Sequence, residues 1–263
     1  MKVRLISYSQ PTEELQDEGI ENAQDLIAFC ARVSNPSNQY NTETSDKLIN
    51  YLIKHAHWSP LEMTNACLEI NTTRDIARQI LRHRSFSFQE FSQRYADPTK
   101  DLNFTTREAR FQDNKNRQNS IDFELSNPEH REIAKIWAEK QQAVIAASSD
   151  AYNWAVSNGI AKEQARAVLP EGLMESRLYM NGTIRSWIHF IQIRTDIATQ
   201  KENREIALEC AKAIAKIFPM TMDFVYKEPE KPTLPPTVVV KDVEVISSKE
   251  SYFKKIIKLM GRL

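Results

Sequence analysis

The sequence contains few glycines and few cysteines, and each scarcity excludes a class of site. Only five glycines occur in 263 residues, and their positions form neither a GxGxxG motif nor a Walker-type phosphate loop. A nucleotide site in this chain therefore needs another arrangement of anion-binding groups. The three cysteines have neither CxxC nor zinc-site spacing, so no metal site is expected and a reduced, intracellular setting is favoured.

The sequence also lacks an excess of charge of either sign and any long apolar run. Lysine plus arginine and aspartate plus glutamate both number 35, so the formal net charge is zero. A general nucleic-acid-binding protein usually has a clear basic excess, and this class is therefore disfavoured. Nowhere do 18 apolar residues follow one another, and the N-terminus has no signal-peptide core. A soluble cytoplasmic protein without membrane association is therefore expected.

Polar and basic side chains are concentrated at residues 82–95, RHRSFSFQEFSQRY, which we call the basic segment. Arg82, Arg84 and Arg94 repel one another unless an anion lies among them. The planar guanidinium group of arginine matches a phosphate group or the imide edge of a base. The basic segment is therefore predicted to be a connection that forms the floor of a nucleotide site, with a solvated charged turn as the alternative.

Hydrophobic periodicity predicts both strands and helices. Strands are predicted at residues 2–8 and 63–72. Helices are predicted at about residues 22–33, 45–54, 74–81, 129–157, 161–168, 172–180, 183–197 and 201–217. The apolar face predicted for the long helix consists of Ile133, Ile136, Trp137, Val144 and Ala147. Residues 97–129 are polar without periodicity and are predicted to be a long excursion, partly loop.

The predicted helix at residues 183–194, TIRSWIHFIQIR, is apolar apart from a few polar side chains, among them Arg185, His189 and Arg194. A buried charge without a partner is costly, so the two arginines must either pair with carboxylates or face a ligand. The sequence leaves both interpretations open.

The basic segment and several other segments of the chain resemble those of the flavin-dependent thymidylate synthases. Arg82-His83-Arg84, followed after seven residues by Ser92, matches the RHR-x7-S motif of that family. Other matching segments are HWSPLE at residues 57–62, QEFSQRY at 89–95, ARAVLP at 165–170, and Arg185-Ser186 through Arg194-Thr195-Asp196. These segments occur in the family's order across about residues 1–225, which argues against chance matching.

The resemblance implies an enzyme that methylates dUMP to dTMP, a step of dTTP biosynthesis. Its carbon donor would be 5,10-methylenetetrahydrofolate, and NADPH would reduce a bound FAD. The enzyme would be a cytoplasmic homotetramer whose sites are shared between subunits. With the predicted elements, the resemblance favours an α+β fold: an antiparallel sheet with helices packed on it, followed by a helical half and an extra C-terminal arm.

The resemblance also implies roles for individual residues. Those that would hold dUMP are Gln79, Arg82, Glu90, Phe91, Ser92, Gln93, Arg94, Arg166 and Arg194. Those that would contact FAD are Ser59, Arg82, His83, Arg84, Glu90, Thr183, Arg185 and His189. The residues on the folate and nicotinamide side would be His57 and Tyr95. Three positions on the flavin side, Thr183, His189 and Ala198, depart from the residues that many members have.

Arg194 is the implied catalytic residue, because it would lie beside the uracil ring. A guanidinium facing the N3–C4 edge would favour an N3-deprotonated, electron-rich ring and so activate C5. No cysteine lies in any matching segment. Cys30, Cys67 and Cys210 are instead predicted to be packing residues, which disfavours a cysteine nucleophile.

The resemblance ends near residue 225, and we predict a catalytic domain at residues 1–225 and a C-terminal extension at 226–263. The extension contains a proline-rich linker, a valine-rich strand-like arm and a basic amphipathic helix at residues 251–263. This helix is expected to pack on the body or on a neighbouring subunit, with a membrane-surface segment as the alternative.

The sequence is also compatible with two functions other than thymidylate synthesis. One is a helical nucleic-acid-binding module that uses the basic segment and the basic tail. The other is a homologue that binds nucleotide without turnover.

Overall fold

A computed structural model describes residues 2–227, and an antiparallel sheet lies at the centre of this part of the chain. The strands are β1 (Lys2–Tyr8), β2 (Asn65–Thr73), β3 (Ser87–Glu90), β4 (Arg110–Gln112), β5 (Ser120–Asp122) and β6 (Glu175–Thr183). The helices are α1 (Glu13–Asp17), α2 (Ala23–Ala31), α3 (Ser45–Lys54), α4 (Arg74–Ile80), α5 (Pro98–Asp101), α6 (Pro128–Ser157), α7 (Lys162–Ala165), α8 (Ile184–Arg194) and α9 (Lys201–Ile214). Short 3₁₀ helices lie at Pro36–Asn38, Ser59–Glu62, Arg166–Val168 and Pro219–Phe224.

The central sheet has the strand order β1-β2-β6-β3, whereas β4 and β5 form a separate hairpin. The two middle strands pair from Asn65 opposite Thr183 to Thr73 opposite Glu175. Leu68 and Ile70 on β2, like Leu178 and Met180 on β6, are fully buried. Alternation of this kind gives the sheet one apolar face, and α4, α8 and α9 pack against it to form the main core.

Each middle strand runs directly into a helix, β2 into α4 and β6 into α8. Thr183 is the N-cap of α8, and its Oγ1 accepts a hydrogen bond of 3.2 Å from the N–H of Ser186. The two helices converge at their C-terminal ends, because Arg194, the last residue of α8, contacts His83, which lies just after α4. This convergence places the basic segment beside the end of α8.

The predicted helix at residues 172–180 is wrong, because most of these residues belong to the central strand β6. Ser176, Leu178 and Met180 are buried and alternate with exposed Arg177 and Tyr179. The period is therefore two, and pairing with β2 on one side and β3 on the other determines the conformation. The basic segment likewise contains regular structure, since β3 is the edge strand of the sheet.

The apolar face predicted for the long helix is largely exposed. Ile133, Ile136, Trp137 and Val144 on α6 have exposed fractions of 41 to 46%. The helix instead buries Gln141, Tyr152 and Ala155. The excursion at residues 97–129 contains α5 and the β4–β5 hairpin between loops.

The predicted α+β class, with an antiparallel sheet and helices packed on it, is confirmed. The strands predicted at residues 2–8 and 63–72 correspond to β1 and β2. The arm and basic helix of the predicted extension lie outside the described residues. None of the helices within residues 2–227 combines the length and apolarity that crossing a membrane requires.

Candidate active site

The converging ends of α4 and α8 bring arginines together around one cleft. Arg82 follows α4 and Arg194 ends α8, and both line the cleft, whereas Arg84 is not among its lining residues. Basic side chains at these positions complement the partial negative charge of helix C-termini. The cleft, which we call the Arg194 cleft, has a volume of about 800 Å³. Its lining residues are Gln79, Arg82, Gln118, Gln192, Ile193, Arg194, Asp196, Ala198, Thr199 and Gln200.

The side chain of Arg194 is held by His83. The Nε–H group of Arg194 donates a hydrogen bond of 2.8 Å to Nε2 of His83. Burial of the imidazole, together with the charges of Arg194 and His189, lowers the pKa of His83 from 6.5 to about 4. His83 is therefore neutral at pH 7, with its lone pair on Nε2 and its proton on Nδ1. The bond uses only Nε of Arg194 and leaves the two Nη groups available to a ligand.

The arginines of this cleft form no ion pair within residues 2–227, although the carboxylate of Asp196 also lines the cleft. No carboxylate lies within ion-pair distance of Arg82, Arg84 or Arg194 in that part of the chain. Burial and the charge of Arg82 lower the pKa of the Arg194 guanidinium. Arginine nonetheless stays charged in proteins, so the cleft is suited to an anionic ligand.

Gln79 reaches the Arg194 cleft from α4 and is fixed by two other amides. Its Nε2 donates to Oε1 of Gln200 at 2.8 Å. Its Oε1 accepts from Nδ2 of Asn203 at 2.9 Å. Both partners lie at the beginning of α9, so packing of α9 against α4 determines where this amide lies.

A second cleft of about 520 Å³ lies along the first turns of α8, and we call it the Thr183 cleft. Its lining residues are Trp58, Glu62, Ser85, Thr183, Arg185, Ser186, His189 and Gln192. Gln192 lines both clefts, which therefore adjoin along α8. The structure thus brings two predicted groups of site residues side by side.

The two arginines of α8 differ in their partners. Arg185 is half-exposed and forms an ion pair with Glu62. Arg194 contacts an imidazole and no carboxylate within the described part of the chain. Both interpretations that the sequence left open are thus realised, carboxylate pairing by Arg185 and exposure to a ligand cleft by Arg194.

Thr183 is used mainly for local structure. Its hydroxyl accepts from the N–H of Ser186 and also donates to Oγ of Ser186 at 3.1 Å. The Oγ of Ser186 in turn donates to the carbonyl oxygen of Ser85 at 3.1 Å. These bonds join the start of α8 to the basic segment.

Arg94 and Arg166 form a third group, centred on Glu163. The Arg94 side chain makes an ion pair of 3.2 Å with the Glu163 carboxylate. The Nε–H of Arg166 donates to the Glu163 carbonyl oxygen at 3.3 Å. Lys162 donates to the backbone oxygen of Tyr95, whose side chain is 81% exposed. Within residues 2–227, no hydrogen bond or ion pair joins this group to the Arg194 cleft, and none of its members lines that cleft.

The middle of the basic segment faces inward. Oε1 of Glu90 accepts a hydrogen bond of 2.7 Å from Ser176 and lies 3.7 Å from Nη1 of Arg74. Gln93 is buried, and its Nε2 has no hydrogen-bond partner among the described residues. Phe91 donates its N–H to the carbonyl oxygen of Arg177 at 2.8 Å, which extends the edge pairing of β3.

The remaining predicted residues lie on the surface. Ser59 begins a 3₁₀ helix and is exposed. His57 is exposed on the turn after α3, with its ring 6.3 Å from that of Tyr51. Ser92 is half-buried, and its Oγ accepts a weak hydrogen bond of 3.4 Å from the N–H of Arg94.

Several residues that line the clefts, or that hold a lining residue in place, were missed by sequence reasoning. They are Trp58, Ser85, Gln118, Gln192, Gln200 and Asn203. Trp58 lies inside a matching segment, so its neighbours could have indicated it. Ser85 and Gln192 also lie inside matching segments. Gln118, Gln200 and Asn203 lie outside the family motifs, and an amide side chain alone carries no signal that separates a site from a surface.

The sequence model of the family described as thymidylate synthase complementing protein matches residues 15–220. A probable flavin-dependent thymidylate synthase of Paramecium bursaria Chlorella virus 1 is 47% identical over 219 residues, covering 83% of this chain and 96% of the relative. A flavin-dependent thymidylate synthase of Synechocystis sp. is 49% identical over 220 residues, covering 83% and 96%.

Solved structures share the fold. The UMP/dUMP methylase PolB from Streptomyces cacaoi, bound with 5-Br dUMP, is similar with a TM-score of 0.66 and 23% identity. That alignment covers 85% of this chain and 93% of PolB. The same methylase bound with 5-Br UMP gives a TM-score of 0.65.

Proposed function

The chain belongs to the thymidylate synthase complementing protein family, and we propose that the two adjoining clefts are where it methylates dUMP to dTMP. It is a flavin-dependent thymidylate synthase with FAD as cofactor. The carbon donor is 5,10-methylenetetrahydrofolate and the reductant is NADPH. In the overall reaction C5 of uracil bonds to the methylene carbon, whose bonds to the folate nitrogens break. The C5 hydrogen leaves as a proton, and a hydride equivalent that NADPH supplies completes the methyl group, so that tetrahydrofolate and NADP⁺ are the other products.

The observation that carries the geometric part of this proposal is that Arg82, Arg84 and Arg194, which form no ion pair within residues 2–227, lie at or beside two adjoining clefts. Arg185 of the Thr183 cleft, by contrast, is paired with Glu62. Arg82 and Arg194 line the Arg194 cleft, and Arg84 lies next to Ser85 of the Thr183 cleft. Phosphate groups and the imide edge of uracil supply the negative charge and the acceptors that these guanidinium groups lack among the described residues. Two nucleotides held side by side explain why so many donors lie on one segment.

The Arg194 cleft is the proposed site of the uracil nucleotide. Gln79, Arg82 and Arg194 contact dUMP there, with Arg194 beside the N3–C4 edge of the ring. Glu90, Phe91, Ser92 and Gln93 are proposed to bind the sugar and phosphate from the segment that follows β3. The two basic residues assigned to the phosphate are Arg94 and Arg166.

The Thr183 cleft fits a flavin by the chemistry of its donors. Arg185 and His189 contribute a guanidinium and an imidazole from α8, and Trp58 contributes an indole from the segment before Ser59. The residues proposed to hold FAD are Ser59, Arg82, His83, Arg84, Glu90, Thr183, Arg185 and His189. The hydroxyl of Thr183 is the weakest donor of this set, because local bonds already use it. Bound FAD supplies hydride-transfer chemistry that no side chain of the chain can supply.

Arg194 activates the uracil ring through its charge. Its Nη groups, free of protein partners within residues 2–227, face the imide edge while Nε stays anchored on His83. Positive charge at that edge stabilises negative charge on N3 and the carbonyl oxygen, and so makes C5 electron-rich. Because His83 is neutral, it accepts the hydrogen bond without adding a like charge beside Arg194. His57 and Tyr95 are proposed to lie on the folate and nicotinamide side.

A homotetramer with shared sites is the proposed assembly. An exposed apolar stripe on α6, formed by Ile133, Ile136, Trp137 and Val144, supports an interface with a second copy. The separation of Arg94 and Arg166 from the Arg194 cleft supports sites completed between subunits. The free thiols of Cys30, Cys67 and Cys210 support the reducing cytoplasm as the setting.

Release of tritium from dUMP labelled at C5, with NADPH and methylenetetrahydrofolate supplied, tests the proposed function. We expect release to depend on both cosubstrates and the purified protein to be yellow. A yellow protein that binds dUMP without releasing tritium would instead be a homologue without turnover. A colourless protein that binds DNA with a steep salt dependence would favour the nucleic-acid-binding module.

A further inference from the structure

We propose that Glu202, Gln200 and Asn203 are positioning residues that fix which end of the Gln79 amide faces the substrate. This inference rests on the proposed function, because it takes Gln79 as a contact of dUMP. Gln79 reaches the Arg194 cleft from α4, and the other three residues lie at the beginning of α9. None of these three belongs to a motif of the family resemblance.

The four side chains form one directed series of hydrogen bonds. Nε2 of Gln200 donates to Oε2 of Glu202 at 2.9 Å. Nε2 of Gln79 donates to Oε1 of Gln200 at 2.8 Å. Nδ2 of Asn203 donates to Oε1 of Gln79 at 2.9 Å. Each amide therefore points its NH₂ group towards the carboxylate end of the series.

The carboxylate of Glu202 selects this direction. An amide has a donor end and an acceptor end, so a series of amides has two self-consistent directions, related by rotating every amide. In the reversed direction, Oε1 of Gln200 would face the Glu202 carboxylate, and two acceptors would meet without a proton between them. An ionised carboxylate only accepts, so it excludes that arrangement.

Glu202 is built to remain ionised. The residue is 8% exposed. Burial raises its pKa, but hydrogen bonds from its own N–H and from Gln200, and the charges of Arg110 and Arg107, outweigh burial and lower it. Arg110 forms an ion pair with Glu202, and both side chains are 11% exposed. The β4–β5 hairpin, which carries Arg110, thus supplies the counter-charge for the series.

The direction determines what dUMP meets. Gln200 lines the Arg194 cleft, whereas Asn203 is fully buried. The NH₂ end of Gln79 therefore lies on the cleft side and its oxygen on the core side. One N–H of that group bonds to Gln200, and the second can donate to an oxygen of dUMP. With the amide reversed, Gln79 would present its oxygen to the same acceptor, which is repulsive.

The experiment uses the flavin-loaded enzyme and an Asn203→Asp substitution. The new carboxylate accepts only, so it draws the NH₂ end of Gln79 away from the cleft and competes with Glu202 for direction. We expect KM for dUMP to rise about five- to tenfold, the range for one lost hydrogen bond. The rate constant kcat and the flavin content are expected to change less. Asn50→Asp, at an exposed position of α3, is the matched control and should leave KM unchanged.

A double variant tests the direction of the series. In Asn203→Asp combined with Glu202→Gln, the reversed series is self-consistent, since the new glutamine can donate to Gln200. Glu202→Gln also removes the counter-charge of Arg110, whose side chain is 11% exposed, so thermal stability is not expected to exceed that of Asn203→Asp. KM for dUMP is expected to stay high, because both substitutions favour the reversed series. Recovery of KM to the wild-type value would overturn the inference, as would an unchanged KM in Asn203→Asp.

A third variant and the wild type keep failure of this inference distinct from failure of the proposed function. Gln79→Leu is expected to raise KM for dUMP at least as much as Asn203→Asp. An unchanged KM in Gln79→Leu would remove Gln79 from the substrate site, and with it this inference, while tritium release by the wild type still supported the proposed function. A wild type that does not bind dUMP by calorimetry would overturn both.

Discussion

Arg194 and His83 are joined across two converging helix ends by a hydrogen bond from Nε of the arginine to Nε2 of the histidine, 2.8 Å long. The acceptor is an imidazole whose pKa is lowered to about 4, so it carries no charge at neutral pH. The guanidinium is thereby anchored without being neutralised. A carboxylate in place of His83 would anchor Arg194 equally well, but it would cancel the charge that the proposed mechanism uses.

Replacing His83 tests this anchoring. His83→Leu removes the acceptor, whereas the side-chain oxygen of His83→Gln can accept from Nε of Arg194. We expect kcat for tritium release, per bound flavin, to fall about tenfold in His83→Leu and less in His83→Gln. Flavin content must be measured by absorbance, because His83 is also a proposed flavin contact. Equal losses of kcat in the two variants would contradict the anchoring role.

The lowered pKa of His83 predicts a dependence of stability on pH. The unfolded chain binds a proton at this residue near pH 6.5 and the folded chain only near pH 4. Between these values the unfolded state binds more protons, so the free energy of unfolding falls as the pH is lowered from 6.5 towards 4. Urea unfolding should show a weaker decline over this window in His83→Gln than in wild type. His55 is exposed, and His55→Gln is the control. If the free energy of unfolding declined as weakly in His55→Gln as in His83→Gln, the pH dependence could not be assigned to His83.

Gly182 makes room for the ring of Phe86, which anchors the basic segment. A Cβ atom at Gly182 would lie 2.4 Å from Cδ1 and 2.5 Å from Cε1 of Phe86. The ring cannot easily move, because Trp187 lies 4.8 Å away and Phe190 6.1 Å away between ring centroids. We expect Gly182→Ala to lower the free energy of unfolding by about 1–3 kcal/mol and to reduce flavin content, as measured by urea unfolding and absorbance.

The chain offers a matched control for this overpacking. A Cβ atom at Gly172 would meet no heavy atom within 4 Å. Gly172→Ala should therefore be close to neutral in the same measurements. A loss of stability in Gly172→Ala as large as that in Gly182→Ala would show that the effect comes from the glycine backbone and not from contact with Phe86.

Much of the fold follows from periodicity, and its main error has a physical cause. The alternation at Lys2–Tyr8 and the helical stripe of α2 involve local patterns that burial on one face preserves. The strand β6 carries glutamate, arginine, leucine and methionine, which are common in helices. Its conformation is decided by β2 and β3 on either side, and neither partner is adjacent in sequence.

Some residues of the candidate site could likewise be predicted from the sequence, and others could not. The motifs indicated Arg82, His83 and Arg194, and the structure brings these three together. They did not indicate Gln200 or Asn203, because those amides act through hydrogen bonds to Gln79 over more than 120 positions of sequence. A short sequence motif indicates the residues that contact a ligand more readily than the residues that position those contacts.

The three cysteines are predicted to be dispensable for catalysis. Burial raises the pKa of the Cys30 and Cys67 thiols, and burial followed by the charge of Glu209 raises that of Cys210. Protonated thiols are poor nucleophiles, and none of the three lines either cleft. Each Cys→Ala variant should release tritium from dUMP within about twofold of wild type, although Cys210→Ala should cost about 1 kcal/mol of stability. Loss of release in a folded variant would restore a cysteine mechanism.

The exposed stripe of α6 predicts where the assembly can be broken. Trp137 is 45% exposed and Ile136 44% exposed, and they lie beside each other on one side of the helix. Placing a charge in a buried apolar interface is costly. Trp137→Lys should therefore lower the mass of the assembly measured by light scattering. If Arg94 and Arg166 complete the site of a neighbouring subunit, the rate of tritium release should fall as the assembly dissociates. Lys135→Glu changes charge on the opposite side of α6 and should leave the mass unchanged. An unchanged mass in Trp137→Lys would exclude this stripe as the interface, and full activity in a dissociated Trp137→Lys protein would exclude shared sites.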